Sequence, residues 1–219
     1  VFLGAVLRAT ATTVPDRVAL IDYGAGNLRS ARRALEAAGA EVLVTHSPAD
    51  VLTADRIVLP GVGAFGQCIN ALRAVDGLEQ ALNKAVIEKG RPFLGICVGM
   101  QLLASEGHEH GVHRGLGWIA GTVERLVPAD PALKVPHMGW NQVVPLAGTP
   151  VSPGHAYFVH SYALRAANSA DVRATTDHGG EIVAIVGRGN ITGVQFHPEK
   201  SQAWGLAFLR DWLKDGRWP

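Results

Sequence analysis

The chain has 219 residues, 47% of them hydrophobic and 18% charged, with a formal net charge of +1. This length is enough for one domain with a substantial core. The near-neutral balance, with no basic run of five or more, argues against nucleic acid as the main partner, because such binding rests on clustered Lys and Arg against phosphates.

Two cysteines, Cys68 and Cys97, make no disulfide framework and fit a reducing, cytosolic setting. At the start of the chain, VFLGAVLRATATTVP is apolar only over Val1 to Leu7. That is far too short to span a bilayer, and there is no basic leader or clean cleavage site. Residues 1–17 are therefore expected to be an extension and 18–219 a single domain, with no membrane partner.

Next come elements at regular intervals. VALIDY (Val18 to Tyr23) is apolar and β-rich, a buried strand, and GAGN is the turn after it. A helix starts near Leu28, with Leu28, Ala31, Leu35 and Ala38 at helical spacing and Gly39 where a C-terminal cap belongs. EVLVTH is the second strand and RIVLP (Arg56 to Pro60) the third, closed by the loop GVGAF. A helical region broken near Gly77 runs to about Lys89, and FLGI is the fourth strand. Short, uniformly apolar strands of this kind predict a mostly parallel sheet with helices on both faces. Beyond Val98 the character changes. TVERL, YFVHSYAL and EIVAIVGRGNITGVQF predict antiparallel strands, the last a hairpin over Gly187 to Asn190. A final helix over about 201–214 carries Trp204, Phe208 and Trp212 at four-residue spacing. The expected fold is a three-layer α/β domain.

Reactive groups in open α/β sheets gather at the carboxyl ends of strands. Cys97 sits there, in Gly95-Ile96-Cys97-Val98-Gly99, the cysteine form of a nucleophile elbow. A following helix would add a positive field favouring thiolate, and the Val98 amide would point at a developing oxyanion. A buried structural cysteine is the plainer reading of the same pentapeptide. A thiol with a free pKa of about 8.5 is only a few per cent ionised at neutral pH, so it needs a base. Among nine histidines the best placed is His197 in GVQFHPEKS, with Glu199 two residues on. Pro198 favours an extended chain that would turn both side chains to one side, the logic of a Cys-His-Glu triad. Gly61, Val62 and Gly63 in LPGVGAF close another strand and approach the same crevice, where their backbone would serve the oxyanion.

Two tempting motifs are set aside. GAGNLR lacks the third glycine of a dinucleotide fingerprint. His108, His110 and His113 in SEGHEHGVHRG have no His-Glu-x-x-His spacing and no Cys or Asp joining them, so they read as a solvated loop, not a metal site. Cys68 reads as core. No cofactor is expected.

GICVGMQ together with GVQFHPEKS resembles the class I (triad) glutamine amidotransferases, flavodoxin-like α/β proteins. IDYGAGNLRS, LPGVGAF, KVPHMGWN and YFVHSY are similar to one branch, the glutaminase subunits that work beside a (β/α)₈-barrel cyclase in histidine biosynthesis. The likeness runs from about Val18 to Trp212. It implies that Cys97, His197 and Glu199 are nucleophile, base and orienting acid, and that Gln101, Glu109, Ser161 and Tyr162 hold substrate L-glutamine. It also implies that Trp140, Asn141, Tyr157 and Lys200 face the cyclase in a heterodimer, and that the enzyme is cytoplasmic. Many relatives carry Leu where Val98 stands. Two other classes remain open: a subunit feeding ammonia to another synthase, and a non-catalytic flavodoxin-like cysteine protein. The former relatives typically carry a Gly-Gly-Pro-Gly type loop in place of PGVGAF and lack KVPHMGWN.

Overall fold

The computed structural model describes residues 16–218, so 1–15 of the expected extension lie outside the described residues. Strand β1 (Arg17–Ile21) buries Val18 through Ile21 completely, which is why it carries no polar alternation. Helix α1 (Leu28–Ala38) begins where the Asn27 side chain accepts the Ser30 N–H. It ends at Gly39, whose φ of 110° suits glycine. The Gly39 and Ala40 amides donate to the Glu36 and Leu35 carbonyls, a Schellman closure.

Strand β2 (Glu41–Thr45) is followed by a helix that periodicity did not reveal, α2 (Pro48–Thr53), because six residues are too few to show a repeat. Then come β3 (Arg56–Gly61), α3 (Phe65–Ala74) and α4 (Leu78–Asn83), the two helices separated at Gly77 with φ 72°. A π turn over Lys84–Glu88 extends α4 to β4 (Phe93–Cys97) and the single-turn α5 (Val98–Gln101).

The second half is strand-rich: β5 (Glu106–Gly107), β6 (His113–Arg114), β7 (Gly121–Arg125), β8 (His137–Pro145), β9 (Gly154–His160), β10 (Tyr162–Ala166), β11 (Val172–Asp177), β12 (Glu181–Arg188) and β13 (Ile191–Val194). Helix α6 (Gln202–Lys214) closes the fold. Four of these strands, the two-residue β5 and β6 together with β8 and β11, were not legible in the sequence. YFVHSYAL, expected as one strand, is divided at Ser161 into β9 and β10, which belong to different sheets.

A nine-stranded sheet has the order β2-β1-β3-β4-β13-β12-β11-β8-β9. Its first five strands pair in parallel and the rest are antiparallel, while β10-β7-β5-β6 form a second, four-stranded sheet. Helix α1 packs with α6, and α2 with α4. Right-handed crossovers place these pairs on opposite faces, since the chain moves outward from β1 to β2 and then back across to β3 and β4. Phe196 meets Phe208 edge-on at 5.6 Å, joining the sheet to α6. Among the described residues no helix is long and apolar enough to cross a membrane.

Candidate active site

Strands β3 and β4 run in register with Gly61 beside Cys97, so the last residue of β4 stands at the sheet's carboxyl edge. There the chain turns. Cys97 has φ 55° and ψ −112°, a non-glycine backbone held outside its ordinary regions, which costs about 1–3 kcal/mol. The glycines on either side explain how the turn is held. A Cβ on Gly95 would lie 2.5 Å from the Gly99 carbonyl oxygen, and one on Gly99 would run into the Leu59 carbonyl. A Cβ on Gly61 would lie 2.7 Å from the Gly99 nitrogen. The elbow therefore nests directly on the β3 backbone. Helix α5 is one turn long, so the field expected from a helix N-terminus reduces to the free amides of that turn.

His197 lies past the end of β13, its N–H donating to the Tyr157 carbonyl of β9 at 2.9 Å. Its Nδ1 is 2.8 Å from Glu199 Oε1, and the two side chains are only 4% and 3% exposed. The expected proximity is present, but its cause differs from an extended chain. Pro198–Lys200 form a 3₁₀ turn with Pro198 at its first position, and this tight turn brings the carboxylate back onto the ring. Burial opposes charge on His197, yet Cys97 and Glu199 outweigh it and hold the imidazole pKa up to about 10. Cys97 raises it through both hydrogen bonding and charge, as Glu199 does.

Cys97, His197, Val98, Val62 and Gly63 line a cavity of about 340 Å³. So do Gln101, Glu109, Ser161 and Tyr162, each from a different element or loop. Gly61 does not line it; that residue is buried behind the elbow. Gly63 follows with φ 100°, a conformation that suits glycine. Glu109 is fixed because its Oε2 accepts the Phe65 N–H at the start of α3, at 2.8 Å. Gln101 Nε2 donates to the Tyr162 carbonyl at 2.9 Å and to Gln195 Oε1 at 3.0 Å. Gln195 Nε2 in turn lies 3.8 Å from Cys97 Sγ. Sequence reasoning missed Gln195. Its signal was a fully buried glutamine inside the apolar run GVQF, a polar group that needs partners.

The cavity wall also holds His160, which is paired with His137. Burial comes first in holding both rings neutral, to about 4 for His160 and about 3 for His137. His178, stacked on His137 at 4.3 Å, and His197 beside His160 add like-charge repulsion. The unfolded chain therefore binds more protons between about pH 4 and 6.5, so stability is complete above that window and falls as pH drops through it. His160 accounts for about 2 kcal/mol at pH 5, or a Tm lower by roughly 5 °C than at pH 7.5. His160→Asn, which keeps a donor for the Tyr162 carbonyl but cannot titrate, should flatten that part of the slope. Thermal melts of both proteins at the two pH values check this, and identical slopes would sink it.

On the far side of His197 the surface is aromatic and basic. Trp140 of β8 is 48% exposed and meets Tyr157 of β9 edge-on at 6.0 Å, and Lys200 Nζ stands 5.4 Å over the Tyr157 ring. Asn141, next to Trp140, turns its amide inward to the Asp177 carbonyl and to His137. The histidine-rich loop is occupied internally. His108 pairs with Glu106 at 2.8 Å, His113 lies over Gly66 of α3, and His110 takes a φ of 55°. Among the described residues no group of three His, Cys, Asp or Glu is placed to hold a metal ion. Cys68 is buried, its thiol 3.3 Å from the Val62 carbonyl under the glycine loop.

The sequence profile of the family described as Glutamine amidotransferase class-I matches residues 19–215. Over 201 residues the chain is 60% identical to the imidazole glycerol phosphate synthase subunit HisH of Zymomonas mobilis, covering 90% of this chain and 94% of that one. It is 55% identical to the protein of the same name from Rhodospirillum rubrum, over 90% of this chain and 98% of that one. A crystal structure described as glutamine amidotransferase superposes with a TM-score of 0.71 at 20% identity, over 90% of this chain and 98% of that chain. The structure described as PurLQS from Thermotoga maritima superposes with a TM-score of 0.66, also at 20% identity, with the same coverage. These two likenesses speak for the fold.

Proposed function

We propose, starting from the fact that this chain belongs to the class I glutamine amidotransferase family, that it is the glutaminase subunit of an imidazole glycerol phosphate synthase. The observation that carries the chemistry is a thiol on a strained elbow at the edge of a cavity, with a buried imidazole–carboxylate pair beside it.

In this reading Cys97 Sγ, as thiolate, attacks the side-chain amide carbon of L-glutamine. The carbonyl oxygen takes the negative charge and is met by backbone amides of the Val98 turn and the Val62–Gly63 loop. His197, held protonated by its neighbours, gives its proton to the departing nitrogen, and ammonia leaves with an acyl-thioester on Cys97. The now neutral ring takes a proton from water as the hydroxyl attacks the thioester. The C–S bond breaks, glutamate leaves, and the thiolate–imidazolium pair is restored. Glu199 keeps the ring oriented and stabilises its charge. One Glu109 oxygen is held by the Phe65 amide, and the other is the natural partner of the substrate's α-ammonium. The Gln101 carbonyl, the Ser161 segment and Tyr162 complete the substrate's shell.

Ammonia made here passes to a (β/α)₈-barrel cyclase seated on the Trp140, Asn141, Tyr157 and Lys200 face. That subunit forms imidazole glycerol phosphate and an aminoimidazole carboxamide ribotide in the cytoplasm. A protruding Trp beside a Tyr and a Lys has the composition of an interface anchor. The heterodimer also gives a reason for restraint, since a subunit that released ammonia without a consumer would waste glutamine.

The experiment is glutamate release from glutamine by the subunit alone, with the cyclase, and with the cyclase and its ribotide. A steep rise in the last condition is expected. An unchanged rate in all three would keep the glutaminase and remove the assignment to this synthase, and no release in any would remove both.

A further inference from the structure

Between the Trp140 face and Cys97 runs a continuous row of buried and part-buried hydrogen bonds, and one backbone carbonyl fixes the direction of every one. The Tyr162 carbonyl can only accept. His160 Nδ1, 2.9 Å away, must therefore carry the proton, which in the neutral ring leaves Nε2 as an acceptor. His137 Nδ1, 3.0 Å from that Nε2, must donate to it, and His137 Nε2 then accepts the Asn141 amide at 3.1 Å. On the other side of the carbonyl, Gln101 Nε2 donates to it and also to Gln195 Oε1, so Gln195 presents its NH₂ to Cys97 Sγ. No member has an alternative orientation that keeps its neighbours paired.

The elements in this row are well separated in the chain: Asn141 and His137 come from β8, His160 from the end of β9, Gln101 from α5, and Gln195 follows β13. Asn141 is adjacent to the exposed Trp140, on the strand that pairs with β9. His137 is clamped between Phe158, with ring centroids 4.8 Å apart, and His178 at 4.3 Å, so a shift of β8 moves the ring as a unit with its neighbours.

We propose that this row couples docking on the Trp140 face to the placement of Cys97, with His137, His160 and Gln195 as positioning residues. It rests on the reading of that face as the cyclase's. A partner that shifts β8 displaces the acceptor and donor of His137, and the rigid row carries the shift through the Tyr162 carbonyl to the amide that faces the thiol. Burial strengthens the coupling, because the His137–His160 and Gln101–Gln195 bonds are buried and a break in the row leaves their polar atoms short of a partner.

The test uses His137, which does not line the cavity. His137→Phe keeps the stacking on Phe158 and His178 and removes both ring nitrogens, whereas His137→Asn retains a donor near the position of Nδ1. In the intact complex with cyclase and ribotide, His137→Phe is expected to lose roughly tenfold of the partner's stimulation of kcat for glutamine. Its KM for glutamine, its partner-free rate, the affinity of the complex and ammonia-dependent turnover should stay at wild-type values, and His137→Asn should recover part of the stimulation. Full stimulation in His137→Phe would overturn the proposal. So would equal losses in both variants accompanied by a weaker complex, which would mark a structural role. A wild-type protein that releases glutamate without responding to the cyclase would remove the functional assignment, and the coupling with it.

Discussion

Cys97→Ala is expected to lower glutamine-dependent turnover by roughly 10⁴-fold or more while leaving turnover supplied with free ammonia at the wild-type level in the complex with the cyclase. The size of the loss follows from the site. With the sulfur gone, His197 and Glu199 have no nucleophile to activate, and the oxyanion donors have no tetrahedral adduct to stabilise. The selectivity follows from the fold. Alanine keeps the Cβ of the elbow, and the partner's chemistry needs only the ammonia. Cys68→Ala is the matched comparison, a second buried thiol removed 3.3 Å from the Val62 carbonyl but off the cavity. That variant should retain glutamine turnover. Parallel kinetics with glutamine and with an ammonium salt check all of this, and a Cys97→Ala protein that loses both activities together would return the thiol to a structural role.

Strands β1, β3 and β4 stand out because their apolar runs are buried almost throughout, whereas β2 is largely exposed and was legible from its β-rich composition alone. Strand β8 did not stand out. Its exposed Met138, Trp140 and Val144 and its buried His137 invert the usual apolar-in, polar-out pattern, which the buried Val143 keeps, because a partner-like surface lies on one side and a histidine row on the other. The division at Ser161 was invisible for a related reason, since the residues on both sides are equally β-prone and only the tertiary assignment to two sheets separates them. At the site, Cys97, His197 and Glu199 were legible from residue type and spacing. The 3₁₀ turn that joins the last two was not, because proline suits the first position of a tight turn as well as an extended chain. Gln195 and the His137–His160 pair were missed because a buried polar side chain looks like an ordinary one until its partners, dozens of residues away in the chain, are known.

Gly99→Ala tests whether the elbow depends on its nesting against β3. The added methyl would run into the Leu59 carbonyl oxygen, and Leu59 cannot yield, since it lies within β3 between two paired strands and in register with Gly95 of β4. The relief available is to lift α5 away from β3. Overpacking of this kind costs typically 1–3 kcal/mol, and a rigid backbone neighbour puts this case at about 3 kcal/mol, a Tm loss of roughly 6–12 °C for a chain of this size. Lifting α5 also moves Val98 and Cys97, and a displacement of about 1 Å at a reacting centre commonly costs about 100-fold in rate. Gly117→Ala supplies the contrast. Gly117 has φ 69° but open space around its missing Cβ, so the same chemical change should cost only about 1 kcal/mol and leave turnover intact. Melting curves and glutamine kinetics on the two variants separate backbone preference from collision. Equal Tm losses, or a fully active Gly99→Ala, would mean that the thiol is positioned without the wedge between α5 and β3.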